Sequence, residues 1–161
     1  MKKKLNSILS LTFAFIPLLV QAQNWSAEEK AVIDALNEEG AAFVDMDMDR
    51  LAAVHIQDES TIRYSLNNDK ALSGWDEIKA NFERMFEARK DRSIDVTTAK
   101  NTKENVILKV TGNTAWVLCD NVWNYEESGE KKESINKEIA FLEKEKGKWK
   151  ISFYTFIAKP E

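Results

Sequence analysis

The chain has 161 residues, with 23 Lys and Arg against 27 Asp and Glu, a formal charge of −4, one cysteine and one histidine. Basic residues scattered over an acidic chain offer no basic face for phosphates, which argues against a nucleic-acid binder. A single cysteine excludes an internal disulfide, and a single histidine excludes a histidine-pair metal site.

Residues 1–4 are Met-Lys-Lys-Lys, residues 5–20 are largely apolar, and Val20-Gln21-Ala22 supplies small residues where a signal peptidase reads. The pattern is that of a secretory signal peptide cut after Ala22. The apolar run is short for a membrane span, and no cysteine follows it to carry a lipid. Without residues 1–22 the chain keeps 139 residues and, three lysines fewer, a formal charge of −7. One domain over residues 23–161 is expected, exported to the periplasm or secreted, with no membrane attachment after cleavage.

Ser26 with Glu29 three residues later forms a capping box, so a helix starts there. Val32, Ile33, Leu36, Gly40, Phe43 and Val44 recur at helical spacing over about five turns. Gly40 on that stripe marks a close approach to the sheet. Asp45, Asp47 and Asp49 alternate as in a calcium loop. Such a loop needs glycine sixth and glutamate twelfth, and Arg50 and Ile56 stand there instead. Asp47 or Asp49 is therefore read as the cap of a short helix over residues 50–55. His55 ends that helix, either as a packed structural residue or as an acid, base or donor lining a pocket. Residues 60–66 alternate as a strand, with Ile62, Tyr64 and Leu66 on one face and Thr61, Arg63 and Ser65 on the other. Residues 67–70 read as a turn. A third helix follows, with Ser73 as N-cap and Trp75, Ile78, Phe82, Met85 and Phe86 as its apolar face.

Five strands are expected next, over residues 93–100, 106–111, 114–125, 134–143 and 148–158, separated by Gly, Asn and charged clusters. Residues 101–104 and 126–133 read as loops. Helices first and strands last indicate an α+β fold with an antiparallel sheet. In the last strand Trp149, Ile151, Phe153 and Ile157 fall on one face and Ser152, Tyr154 and Phe156 on the other. In the strand from Thr114, Trp116, Leu118 and Val122 oppose Ala115, Val117, Cys119, Trp123 and Tyr125. Both faces are apolar, so helices can cover only one. A homodimer paired sheet to sheet is the expected cover for the other. Cys119, inside an apolar strand, reads as a structural thiol.

The element order resembles the nuclear transport factor 2-like superfamily, and within it the SnoaL-like group. The likeness rests on Phe43 to Leu51 with Asp47 and Asp49, and on His55-Ile56-Gln57-Asp58-Glu59-Ser60-Thr61-Ile62 entering the first strand. It rests also on Ser73-Gly74-Trp75-Asp76-Glu77-Ile78 with Phe82, Gly112-Asn113-Thr114-Ala115-Trp116-Val117, and Gly147-Lys148-Trp149-Lys150-Ile151. The resemblance implies a cone-shaped, curved antiparallel (mixed) sheet wrapping three N-terminal helices, with a pocket at the wide end. The superfamily holds enzymes such as ketosteroid isomerase, scytalone dehydratase and polyketide cyclases, and also binding or dimerisation modules, so fold alone does not assign function. Isomerase chemistry needs a carboxylate base on the first strand. Aligning Asp58 with the acidic residue that opens that strand puts Arg63 near the base position, and a guanidinium is no base.

The expectation is a domain that binds a small, partly apolar molecule in its cone. Tyr64 and Trp123 line the pocket, and Arg63 or His55 recognises an anionic or carbonyl group. Two alternatives stand beside it. One is a cofactor-independent lyase, isomerase or hydrolase using His55 and Asp120, with Asp58 as a third acid–base candidate and Asp120 paired with Arg63. The other is a structural dimerisation module. No metal and no cofactor is expected.

Overall fold

The computed structural model describes residues 24–65, 70–90 and 94–158. The signal-peptide reading of residues 1–22, and most of the expected turn at 67–70, lie outside the described residues. Helix α1 runs Ala27–Asp45 with the capping box formed: Ser26 Oγ accepts from the Glu29 amide at 3.3 Å and Glu29 Oε2 from the Ser26 amide at 2.8 Å. Asp47 caps α2, Met48–Ala53, by accepting the Arg50 amide at 3.0 Å, while the Asp45 carboxylate pairs with the Arg50 guanidinium. The alternating aspartates thus serve a helix start and an ion pair.

The remaining elements are β1 Ile62–Ser65, β2 Leu72–Ser73, α3 Trp75–Lys90, β3 Ile94–Thr111, β4 Thr114–Glu127, β5 Glu130–Glu145 and β6 Lys148–Ala158. They form one mixed sheet in the order β2-β1-β6-β5-β4-β3, with β1 parallel to β6 and the other pairs antiparallel. The fold is α+β, as expected. α1 packs across β3 and β6 and α3 against β1 and β2. Among the described residues, no helix is long and apolar enough to cross a membrane.

Four local readings are corrected. The two strands expected over 93–100 and 106–111 are one, β3. Residues 101–104 continue its ladder, and the polar composition is absorbed by register shifts between Asp95 and Lys100 and between Glu104 and Ile107, the second at Asn105 with φ 48°. Such bulges bend a strand, which suits a curved sheet. The loop expected at 126–133 shrinks to Ser128-Gly129, both at positive φ, the backbone a tight hairpin favours. Ser73 is not the N-cap of α3. It pairs in β2, and Gly74 at φ 83° turns the chain into the helix, its amide donating to Thr61 O at 2.8 Å.

The fourth correction matters most for the site. In β6, Phe153 pairs with Phe141 but Ile151 with Leu142, so Ser152 is an extra residue in the ladder. The pleat changes phase there. Trp149 and Ile151 share the inner face with Tyr154 and Phe156, while Phe153 and Ile157 face outward. The core lies between the inner face and the helices. Val32, Leu36 and Ala42 of α1 and Ile78, Phe82 and Phe86 of α3 pack with Ala115, Val117, Ala140, Leu142 and Ile151.

Candidate functional site

The pleat of β1 places Thr61 and Arg63 inward and leaves Ile62 and Tyr64 exposed, Arg63 at 6% and Tyr64 at 39%. The two faces alternate as expected, and the one that carries Arg63 is the buried one. Parallel pairing sets Arg63 beside Tyr154, and antiparallel pairing continues that row through Ala140 and Val117. The next inner row is Phe156, Glu138 and Cys119, and the one beyond it carries Asn136, Asn121 and Lys103. Along β4 and β5 the inner face therefore changes from aliphatic to polar.

His55 enters from the end of α2. It is fully buried, and the chain around it is fixed to β6 by Ile56 N to Ile151 O at 2.9 Å and Ile151 N to Val54 O at 2.8 Å. Its ring stacks on Trp75 at 5.2 Å between centroids and borders Phe82 at 5.8 Å and Tyr154 at 5.5 Å. Nδ1 lies 2.7 Å from Leu51 O. Burial, helped by the Arg63 cation, lowers its pKa to about 4, so the ring is neutral at neutral pH.

The Arg63 guanidinium sits over the Phe82 ring at 5.2 Å and the Tyr154 ring at 5.4 Å. Its described hydrogen bonds go to Asn81 Oδ1 of α3 at 2.5 Å and to the Met85 sulfur at 3.9 Å, and neither partner is an anion. Arg63 Nε, His55 Nε2 and the Tyr154 hydroxyl are buried with no hydrogen-bond partner among the described residues. Burial pushes the Tyr154 phenol well above its ordinary range, so it keeps its proton.

Beside this set lies a second buried cluster. Lys103 Nζ donates to Glu138 Oε2 at 2.6 Å and to Asn121 Oδ1 at 2.9 Å, with both charged side chains almost wholly buried. Burial works against the Lys103 ammonium, but Glu138 and Glu39 outweigh it and hold the proton on. Glu39 comes from α1. Its carboxyl is pushed up by burial, against the pull of Lys103 and Arg63, and no described hydrogen bond reaches it. Glu138 is pushed up by burial too, against the pull of Lys103, which is bonded to it. Asn101 Nδ2 donates to Asn121 Oδ1 at 2.5 Å. Asn101 Oδ1 has no described partner and fills the space beside Gly40, where a Cβ would lie 2.1 Å from it. That is the close approach expected at this glycine. The Cys119 thiol is pushed up to about 12 by burial and by Glu138, which leaves it un-ionised.

Of the residues singled out from sequence, His55 and Arg63 come together. Trp123 is on the inner side and packs edge-on against Phe43 at 5.7 Å. Tyr64 is on the opposite face from Arg63, so its expected place in the cone is corrected. Asp120 also faces away from the cone, bonded to Lys137 at 2.5 Å and to Asn105 Nδ2 at 2.7 Å, and is not the partner of Arg63. Asp58 is exposed and accepts from Ser60 N and Oγ at 2.8 and 2.6 Å. Sequence reasoning missed Glu39, Asn81, Asn101, Lys103, Asn121, Glu138 and Tyr154 as members of the two clusters. A signal did exist for Glu39, which falls on the apolar stripe with Val32, Leu36 and Phe43, and for Glu138, two residues from Ala140 in an alternating strand. A separate cleft of about 370 Å³ lies between residues 57–59 and 73–77. Two of its carboxylates are already bonded, Asp58 to Ser60 and Glu77 to Lys70.

The SnoaL-like domain profile matches residues 32–156, spanning both clusters and every described strand of the sheet. The chain belongs to the SnoaL-like domain family. The SnoaL-like fold of this chain is similar to an NTF2-like protein with a cystatin-like fold from Novosphingobium aromaticivorans, with 13% identity, 80% of each chain covered and a TM-score of 0.64. It is similar to an NTF2-like superfamily protein from Salmonella enterica serovar Typhimurium, with 13% identity, 82% of this chain and 91% of that one, and a TM-score of 0.66. A ketosteroid isomerase-like protein from Erwinia carotovora atroseptica is similar with 19% identity, 84% and 100% coverage, and a TM-score of 0.60. At such identities the likeness is one of fold. No match was found among curated proteins.

Proposed function

We propose that this SnoaL-like domain binds a small, partly apolar molecule in its cone, and that Arg63 holds an anionic or carbonyl group of that molecule. The supporting observation is the state of Arg63: a buried cation whose described partners are an amide oxygen and a thioether, with Nε unbonded. A charge taken from water into a protein interior costs several kcal/mol unless paired; the buried Glu39 carboxyl attracts Arg63 without a described hydrogen bond to it, which leaves the guanidinium suited to bond an anionic group that enters. Trp75, Phe82 and Phe86 supply apolar wall beside it. The experiment is calorimetric titration with phenylacetate as probe, on the wild type and on Arg63→Met. A charged hydrogen bond contributes roughly 1.5–3 kcal/mol, so the variant should bind at least tenfold more weakly. Equal affinity would sink this reading. Turnover by His55 with Asp120 finds no support in the geometry, because the sheet separates them.

A second reading concerns the outer face. Ile62, Ile107, Trp116, Phe141 and Ile157 are exposed there in adjoining rows, with Phe153 beside Phe141. We propose that a second copy of the chain covers this face, since contiguous exposed apolar surface of this kind marks an interface. Sedimentation velocity should give a dimer at micromolar concentration, and Trp116→Lys with Phe141→Lys should give a folded monomer. A monomeric wild type would end the idea.

A further inference from the structure

His55 carries more information than its burial. Leu51 O, 2.7 Å from Nδ1, is a carbonyl and can only accept. Nδ1 must therefore carry the hydrogen. With the ring neutral, Nε2 is left with a lone pair and no hydrogen, a fixed acceptor rather than a donor. This acceptor is buried and has no described partner. Its neighbours are of the other kind: Arg63 Nε is a donor without a partner, and the protonated Tyr154 hydroxyl is a donor that can also accept. The three groups are neighbours, because His55 and Arg63 both lie against the rings of Phe82 and Tyr154. A bare carboxylate satisfies the two donors and leaves His55 Nε2 facing another lone pair. A molecule that offers acceptor oxygens and, one atom away, a hydroxyl satisfies all three.

We propose that His55 is a specificity-determining residue of the cone, whose Nε2, held as an acceptor by the Nδ1–H bond to Leu51 O, selects 2-hydroxy acids over the corresponding plain carboxylic acids. The inference rests on the reading of Arg63 as the anion-holding group. In the bound state the carboxylate takes Arg63 and the Tyr154 hydroxyl, the 2-hydroxyl donates to His55 Nε2, and the apolar remainder lies along Phe82. The discrimination is the bond gained: a plain carboxylate leaves His55 Nε2 buried without a donor, as it is in the free protein, whereas the 2-hydroxyl supplies one.

Mandelate and phenylacetate differ by the one hydroxyl and make the test. Calorimetric titration of the wild type with each enantiomer of mandelate, and with phenylacetate, should show the better enantiomer binding about tenfold tighter. In His55→Phe, which keeps an aromatic ring against Trp75 and Phe82, the ratio of the two affinities should fall to near one. The chain has one histidine, so selectively ¹⁵N-histidine-labelled wild-type protein reports on His55 alone. Its spectrum should show Nδ1 protonated and Nε2 bare, with the Nε2 resonance shifting on mandelate addition and staying in place with phenylacetate. That spectrum decides the matter even if the variant fails to fold. Equal affinities in the wild type, a preference that survives in His55→Phe, or a protonated Nε2 would each overturn the inference. If both acids bind equally and Arg63→Met weakens both, the Arg63 reading stands and only the role of His55 falls. If neither acid binds, both fail.

Discussion

Replacing His55 by phenylalanine should remove a specific part of the acid sensitivity of this fold. In the unfolded chain the imidazole titrates near its ordinary 6.5, and in the folded chain burial brings it to about 4. Between those values the unfolded state binds a proton that the folded state refuses, so stability rises with pH across the window. The stabilisation is complete above pH 6.5 and is lost as the pH falls toward 4. Integrating the linkage from pH 7.5 to pH 4 gives a loss of about 3 kcal/mol from this one ring. Other groups act in or near the same range. Glu39 and Glu138, raised by burial, favour the folded state as the pH falls. Glu28, Glu29, Asp58, Glu77 and Glu145, lowered by their hydrogen bonds, work against it below their ordinary range. The wild-type profile alone is therefore ambiguous, but the difference between wild type and His55→Phe cancels these shared contributions. Urea unfolding followed by tryptophan fluorescence, at half-unit steps from pH 7.5 to 4, measures that difference. The wild type should lose about 3 kcal/mol relative to the variant over the range. A constant offset between the two proteins is expected, since the variant leaves Leu51 O without its donor, and it does not affect the slope. A difference independent of pH would refute the reasoning, for it would mean that His55 takes up its proton equally in both states.

Two other perturbations address the inner face. Gly40→Ala drives a methyl group to 2.1 Å from Asn101 Oδ1. The overpacking should outweigh the gain of about 1 kcal/mol in helix propensity and leave a net loss of roughly 1–2 kcal/mol in urea unfolding. Adding Asn101→Ala should restore most of that loss, and unchanged stability in the single variant would contradict the close approach. Lys103→Met leaves Glu138 buried without its cation and should cost about 3–5 kcal/mol, while Lys103→Met with Glu138→Leu should recover most of it. The deficit of the single variant should shrink below the ordinary carboxylate range, where both glutamates are protonated. A deficit constant with pH would show that an unpaired carboxylate is not its cause.

What could be read from the sequence is what short-range chemistry decides. The capping box at Ser26 and Glu29, the apolar stripe of α1, the helix from Trp75 and the hairpin strands β4 to β6 all announce themselves within a few residues of chain. What was not legible depends on pairing across the sheet. No local pattern near Ser152 shows that it is the extra residue against Phe141 and Leu142, yet that bulge decides that Tyr154 and Phe156 face inward. Residues 101–104 have the composition of a turn, and only the ladder to residues 120–123 of β4 shows them to be strand. For β1 the alternation separates Ile62 and Tyr64 from Thr61 and Arg63, yet both Tyr64 and Arg63 are expected in the pocket; the buried positions are Thr61 and Arg63, and Ile62 and Tyr64 lie on the exposed outer face. Periodicity says that a strand has two faces. When the buried face carries polar groups and the other is apolar and exposed, it does not say which is inside.

The burial of Thr61 and Arg63 fits the way the inner face is graded. At the end near the 112–113 and 146–147 turns, its residues are Ala115, Val117, Ala140, Leu142 and Ile151, which bury apolar surface against α1 and α3 and supply the hydrophobic stabilisation of the fold. Further along the same strands it carries Asn121 and Glu138, faced by Lys103 and Asn101 from β3 and by Glu39 from α1, with Arg63 and Tyr154 on the neighbouring strands. Leucine or valine at those positions would continue the core at no electrostatic cost, and buried ion pairs are commonly replaced by apolar residues without loss of stability. The polar half is therefore poorly explained as a contribution to folding. A neutral acceptor at His55, a cation at Arg63 with no described hydrogen bond to an anion and a carboxyl at Glu39 with no described hydrogen bond are chemically distinct and set close together, which suits recognition of a polar head group. The aliphatic half of the sheet packs against the helices, and the polar half is where the selectivity of this SnoaL-like domain should be sought.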